Sequence, residues 1–223
     1  MWSVILTLML AVSLILLTLM GYLVGAIPTG YLVCRALGVD LRTVGSGNIG
    51  TANAYRAAGK KAFVATLLGD LLKGLAPVVL TRLLTDNDWV VAAVALAALI
   101  GHCWPVYLGF KGGKAVATAA GTSIGLAPPV GLLMFVVWWA VVLVSRYTSL
   151  AALVLALIGP LLFIVTGQPV AYLVYAACAC VLIVERHKGN VKALLNGTER
   201  KFGASKSETS RTSETSKSPA GKG

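Results

Sequence analysis

Apolar residues fill this chain in long blocks, not in the alternation of a half-buried strand or the one-sided stripe of a soluble helix. No charged residue occurs between Val4 and Val33, a run longer than the roughly 20 residues that carry a helix across a bilayer. Six further apolar segments follow, over residues 62–84, 90–107, 115–127, 129–144, 150–166 and 169–184. Each predicts a helix, as does the first over residues 4–33. The fourth and fifth are short and meet at Ala127-Pro128-Pro129, so one kinked helix competes with two helices joined by a tight turn. A cleaved signal would also begin apolar, but this run is too long and its only basic residues lie beyond its far end.

Composition turns these helices into membrane spans. Of the 223 residues 57% are hydrophobic and 12% charged, with a mean hydropathy of +0.84, beyond what one water-soluble core needs. The expected fold class is an all-α integral membrane protein with about seven transmembrane helices and short, half-buried cytoplasmic loops. The net charge of +11 would suggest nucleic acid in a soluble protein, but here the Lys and Arg residues sit in a few loops and the tail, which is a topological pattern. No nucleic-acid partner is expected; the lipid bilayer is.

Counting charges decides between six and seven spans. With seven and the N-terminus outside, Arg35, Arg42, Arg56, Lys60, Lys61, Lys111, Lys114, Arg146 and the basic tail share the cytoplasmic side. The other side then has Thr85-Asp86-Asn87-Asp88, Pro128-Pro129 and Gly167-Gln168-Pro169. Merging the fourth and fifth segments would put a basic group outside. Residues 203–223, rich in Ser, Thr and Lys and without a large apolar side chain, predict a disordered cytoplasmic tail after a membrane domain over 1–202. Residues 191–195 predict a short interfacial helix. Cys34, Cys103, Cys178 and Cys180 have no second cluster at metal spacing and read as small apolar fillers.

The candidate chemistry starts at VGSGNIGTANAYR, where Gly45, Gly47 and Gly50 have the spacing of a dinucleotide fingerprint. That fingerprint needs a strand before it, and here a transmembrane helix precedes it. What survives is a Gly-rich backbone cradle for an anion, with Ser46, Asn48, Thr51 and Asn53 as further donors and Arg56 as a cationic fork. A polar turn carrying ordinary flanking charge is the competing reading. A second Gly-plus-cation segment, GHCWPVYLGFKGGKAVAT, contains Gly112, Gly113 and Lys114 but lacks the Gly spacing and hydroxyl of a nucleotide-binding loop. Lys114 opens the fourth helix, where N–H groups favour an anion. His102 lies just inside a span and reads as structural. The third and fourth clusters are Glu185-Arg186-His187-Lys188-Gly189-Asn190 and Arg146-Tyr147-Thr148-Ser149; His187 and Asn190 share a face if helical. Asp70 and Lys73, inside the second span and three apart, can pair; a structural ion pair and direct substrate contact are the two readings.

In order along the chain, GSGNIGTANAYR, GHCWPVYLGFKGGKAVAT and RHKGN resemble the motifs GSGNxGATNxxR, GHxxPxxxxFKGGKGVAT and RHxxN of the bacterial acyl-phosphate:glycerol-3-phosphate acyltransferases, the PlsY type. Two positions depart: Thr51-Ala52 stands for Ala-Thr, and Ala115 for Gly, the latter tolerable if that position is helical. The resemblance implies a bacterial cytoplasmic (inner) membrane enzyme that passes a fatty acyl group from acyl phosphate to the 1-hydroxyl of glycerol 3-phosphate, without acyl-CoA, metal, cofactor or obligate protein partner. The H-x-x-x-x-D signature of other glycerol phosphate acyltransferases is absent after both His102 and His187. The expected catalytic residues are His187, Lys114, Arg56 and Ser46, with phosphate bound by Gly45, Ser46, Gly47, Asn48, Gly50, Arg56, Gly112, Gly113, Lys114, Ser149, His187 and Asn190. His187 is the candidate base, with the acceptor's phosphate as the rival proton acceptor. A transporter of a phosphorylated solute is the alternative; it calls for polar midplane positions from both halves, whereas the polar residues here collect on one face.

Overall fold

The computed structural model describes residues 2–203, and these are helical throughout their apolar segments. The tail expected to be disordered lies, from residue 204 on, outside the described residues. The helices are α1 (Trp2–Gly25), α2 (Thr29–Ala36), α3 (Thr51–Leu84), α4 (Asp88–Cys103), α5 (Val116–Leu126), α6 (Pro128–Ser145), α7 (Thr148–Val165), α8 (Val170–Arg186) and α9 (Lys188–Leu195). A single 3-10 turn, Val106–Leu108, follows α4. Five helical stretches are long and apolar enough to cross a membrane, and α8 with α9, bent by 59°, makes a sixth.

The first predicted span is not one helix. Pro28 has no N–H and cannot continue α1, so the chain turns at Ala26-Ile27-Pro28 and restarts as α2. The carbonyl of Ile27 at this break accepts from the Thr29 N–H at 2.9 Å and from the Lys73 ammonium at 2.7 Å. A break inside α3 falls at Gly59, whose φ of +78° is left-handed. It sets Thr51–Ala58, with Asn53 and Arg56, apart from the longer stretch that follows.

The fourth and fifth segments are two helices with a tight turn. Ala127 ends α5 and Pro128-Pro129 occupy the first turn of α6, where a missing N–H costs nothing. Arg82 of α3 donates to the carbonyls of Gly125 and Leu126 at 2.9 Å each, satisfying the buried C-terminal end of α5. At 11 residues α5 is about 16 Å long, shorter than a full span, and it completes the seventh crossing together with the loop that precedes it. It is the central helix, packed on α3, α4, α6 and α8. Its approach to α3 is close: a Cβ on Gly121 would lie 2.0 Å from the Leu71 carbonyl oxygen, and one on Gly74 would lie 2.3 Å from that of Thr118. The residues of the expected interfacial helix fall in α9. All four cysteines are free thiols: Cys34 and Cys103 are buried, Cys180 is half-buried and Cys178 exposed.

Candidate active site

At one end of the bundle the loops after α2, α4 and α6 meet the α8–α9 junction. They surround the mouth of a cavity of about 380 Å³ that continues between α3, α5, α6, α7 and α8. Its mouth is polar and its depth apolar. Ser46, Asn48, Gly50, Arg56, Lys114, Ser149, His187 and Asn190 all line it, so eight of the expected residues converge from four separate segments. Gly45, Gly47, Gly112 and Gly113 do not reach the cavity.

The loop before α3 is built around Asn53, which is 2% exposed. Its amide nitrogen donates to the carbonyls of Leu41 (3.1 Å) and Val44 (2.9 Å), and its amide oxygen accepts from the Ser46 N–H at 3.1 Å. Gly45, at φ +64°, passes so close that a Cβ would meet this amide oxygen at 2.3 Å. The Gly50 N–H is taken by the Asn48 side chain at 2.8 Å. Much of the expected backbone cradle is therefore spent on holding its own shape. The first intrahelical donors of α3 are Asn53 and Ala54, both to the Gly50 carbonyl. This leaves the N–H groups of Thr51 and Ala52, which line the cavity, at a helix start that favours an anion. The transposed Thr51-Ala52 pair thus keeps its hydroxyl in the cavity wall, one residue earlier.

The loop before α5 is held by Arg186, whose guanidinium donates to the carbonyls of Gly113 and Gly112 at 3.0 Å each and lies over the Trp104 ring. The Gly113 N–H donates to the His102 carbonyl at 3.0 Å. A Cβ on Gly112 would sit 2.2 Å from that carbonyl, and one on Gly113 2.1 Å from His102 Nε2. These two glycines let the loop lie against the end of α4; they do not point donors at the cavity. Ala115 is not helical: its φ of +58° and ψ of 15° are left-handed, a conformation that costs a non-glycine residue about 1–2 kcal/mol. The condition under which Ala at 115 was tolerable, a helical backbone, is therefore not met.

Lys114, so placed, donates to the Asn190 amide oxygen. The Asn190 amide nitrogen and the Ser149 hydroxyl both donate to one carboxylate oxygen of Glu199, at 2.8 and 2.6 Å. Glu199 belongs to a segment after α9 that folds back over the mouth, contributing Thr198, Glu199 and Arg200 to the lining. The Phe202 N–H donates to the Arg146 carbonyl at 2.6 Å, and the Phe202 ring packs on Tyr55 and Phe63. Sequence reasoning missed Glu199. The available signal was Phe202, the last aromatic residue before the Ser/Thr-rich tail, which marks where packing ends. Burial lowers the pKa of the Lys114 ammonium; the Glu199 carboxylate opposes that shift, and Arg186 and Arg56 reinforce it.

His187, at the junction of α8 and α9, is 3% exposed. Its Nδ1 lies 2.8 Å from the Ile183 carbonyl, which only accepts, so Nδ1 carries the proton of the neutral ring. Burial pushes its pKa down to about 4, against the Ile183 bond, which raises it. A neutral ring with Nδ1 protonated leaves Nε2 as an acceptor.

Deeper in the wall stand Asp70 and His102. Asp70 pairs with Lys73 at 2.8 Å, accepts from the Thr29 hydroxyl and lies 3.6 Å from His102 Nδ1, which also faces the Thr118 hydroxyl at 3.1 Å. The ion pair expected from the sequence is present and ties α3 to α2 and α4. His102 gains a part the sequence did not suggest, as the platform under Gly113. Among the described residues no three His, Cys, Asp or Glu side chains group as metal ligands.

A cationic mouth joined to an apolar channel fits a phosphorylated head and a hydrocarbon tail, and the comparisons agree. The family described as glycerol-3-phosphate acyltransferase matches residues 15–197. A glycerol-3-phosphate acyltransferase of Rubrobacter xylanophilus is 61% identical over 189 residues, covering 85% of this chain and 95% of that protein. One from Geobacter sulfurreducens is 43% identical, with 85% and 98% covered. The crystal structure of PlsY, described as an integral membrane glycerol 3-phosphate acyltransferase, superposes in its glycerol 3-phosphate form with a TM-score of 0.82 at 42% identity, covering 86% of this chain and 96% of that one. Its lysophosphatidic acid form gives 0.81 at 40% identity. Shared sequence over most of both chains and a shared helix arrangement lead to one assignment: this chain belongs to the glycerol-3-phosphate acyltransferase family.

Proposed function

We propose that the protein transfers a fatty acyl group from acyl phosphate to the 1-hydroxyl of glycerol 3-phosphate, releasing lysophosphatidic acid and inorganic phosphate. The observation that carries this reading is the single cavity that joins the polar mouth to the apolar channel. An acyl phosphate is a mixed anhydride with a good leaving group, so positioning and charge stabilisation suffice without a covalent enzyme intermediate. The acceptor oxygen attacks the acyl carbon, the carbon–oxygen bond to phosphate breaks, and phosphate leaves with the bonding pair.

Two phosphates held together repel, and the mouth answers with Arg56, Lys114 and Arg200 and with the N–H groups that open α3. That Ser149 and Asn190 already hold the Glu199 carboxylate supports their use as anion donors. His187 Nε2, an acceptor while the ring is neutral, takes the hydroxyl proton, and the Ile183 carbonyl steadies the imidazolium that results. The acyl chain lies in the channel. We place the enzyme in a bacterial cytoplasmic membrane with its N-terminus outside, so that the mouth and the C-terminus face the cytoplasm and the positive-inside pattern is kept. Residues 1–202 form the catalytic unit.

Purified protein incubated with glycerol 3-phosphate and either acyl phosphate or acyl-CoA tests the donor. Lysophosphatidic acid is expected from acyl phosphate alone. Product from acyl-CoA alone would overturn the donor assignment, and product from neither would overturn the reading.

A further inference from the structure

The cavity has a floor. From Ser149 the channel runs along α7 past Ala152, Ala156 and Gly159 to Phe163. From His187 it runs along α8 past Ala179 and Ala176 to Tyr175. Phe163 and Tyr175 are 1% and 2% exposed, and their rings meet edge to face with centroids 6.3 Å apart. The Tyr175 hydroxyl is bonded to that of Thr122 on α5, which fixes the ring from the third side. On these two paths the small residues Ala152, Ala156, Gly159, Ala176 and Ala179 line the wall, whereas the floor is two interlocked aromatic rings held by the central helix. Above the floor, Gly159 of α7 packs beside Met134 of α6 in the channel wall: a Cβ at 159 would lie 3.3 Å from the Met134 methyl.

We propose that the Phe163–Tyr175 floor sets the longest acyl chain the enzyme takes, and that the missing side chain at Gly159 keeps the last stretch of the channel open. This rests on the acyltransferase reading above. Phe163 lies 14 residues beyond Ser149, about 21 Å along the helix, and Gly159 lies 10 residues beyond it, about 15 Å. An extended hydrocarbon advances about 1.2 Å per bond, as an extended peptide does at 3.3–3.6 Å over its three backbone bonds. The floor therefore stops a chain of roughly 16–18 carbons, and a side chain at position 159 stops one of roughly 12. The neighbour a new Cβ would press on is the end of a flexible Met, which can move aside for it.

The test is lysophosphatidic acid formation from a series of acyl phosphates of 8 to 20 carbons by the full chain and two variants. Gly159→Leu is expected to keep its rate with 12 carbons within a few-fold. Relative to that rate, it should lose on the order of a hundredfold with 16, since about four methylenes lose their burial. Phe163→Leu is expected to move the optimum the other way, toward 20 carbons. If Gly159→Leu does not accumulate in the membrane, Met134→Phe narrows the same level from α6 and should give the same cut-off. Variants that are folded and active with an unchanged ratio of 16- to 12-carbon rates, or with equal losses at all lengths, would overturn the proposal. Wild-type protein giving no product at any length would instead overturn the reading beneath it.

Discussion

Asn53 offers a direct check on how the mouth is held. It does not need to touch substrate to matter, because three hydrogen bonds from one buried amide fix the loop over residues 41–46. Replacing it with Ala removes all three and leaves the carbonyls of Leu41 and Val44 and the N–H of Ser46 without that partner. At about 1 kcal/mol for each bond, the ordered loop loses about 3 kcal/mol, a factor on the order of a hundred in its equilibrium. Apparent affinity falls with the competent fraction, so the KM for glycerol 3-phosphate should rise ten- to a hundredfold. The melting temperature in detergent should fall little, because the bonds serve a surface loop and not the helix packing. Asn53→Asp sharpens the test: it keeps an acceptor for Ser46 but turns two donors into acceptors facing carbonyls, so it should be no better than Ala. A KM within twofold of wild type in either variant would refute the reasoning.

Three further outcomes follow from the geometry. His187 is held neutral down to about pH 4 by burial, so kcat/KM of the wild type should fall through an acidic limb near that value as the ring protonates; His187→Asn should be slower and lack this limb. The limb belonging to the acceptor's phosphate, whose second pKa is about 6, should persist in both enzymes; an unchanged low-pH limb in the variant would remove His187 as base. Gly113→Ala drives a methyl into the His102 ring, which Asp70 and Thr118 hold in place, and should lower kcat/KM at least tenfold while the protein still accumulates and binds detergent as wild type does. Asp70→Asn leaves the Lys73 ammonium buried without its carboxylate and should destabilise by about 3 kcal/mol; adding Lys73→Met should recover much of the melting temperature.

The helices were legible because burial in lipid demands uninterrupted apolar residues, and each of the seven apolar segments is helical in the structure. The break at Pro28 was hidden, since it leaves the hydropathy of the run intact and shows only in the donors that the Ile27 carbonyl takes, Thr29 N–H and Lys73. At the site, the chemistry-bearing side chains were readable as residue types: Arg56, Lys114, Ser149, His187 and Asn190 all line the mouth. The glycines were read with the wrong emphasis. A Gly that presents an N–H to a ligand and one that lets a loop lie on a helix look alike in a sequence, and Gly112 and Gly113 are of the second kind. Ala115 is a related case, because helix propensity says nothing about a position left-handed in φ. Glu199 was overlooked because its neighbours Thr198, Arg200 and Lys201 look like the start of the Ser/Thr-rich tail, and only the folded chain brings it back over Ser149.

That folded-back segment bears on where this protein is divided or extended. The family match ends at residue 197, yet Thr198, Glu199 and Arg200 line the mouth and Phe202 is docked among Tyr55, Phe63 and the Arg146 carbonyl. A stop codon or cleavage site placed at the family boundary would cut away part of the cavity wall, whereas one placed after Gly203 would spare it. Any tag or fusion joined at Gly203 begins beside the opening through which the water-soluble substrate enters, so a long polar spacer belongs between them.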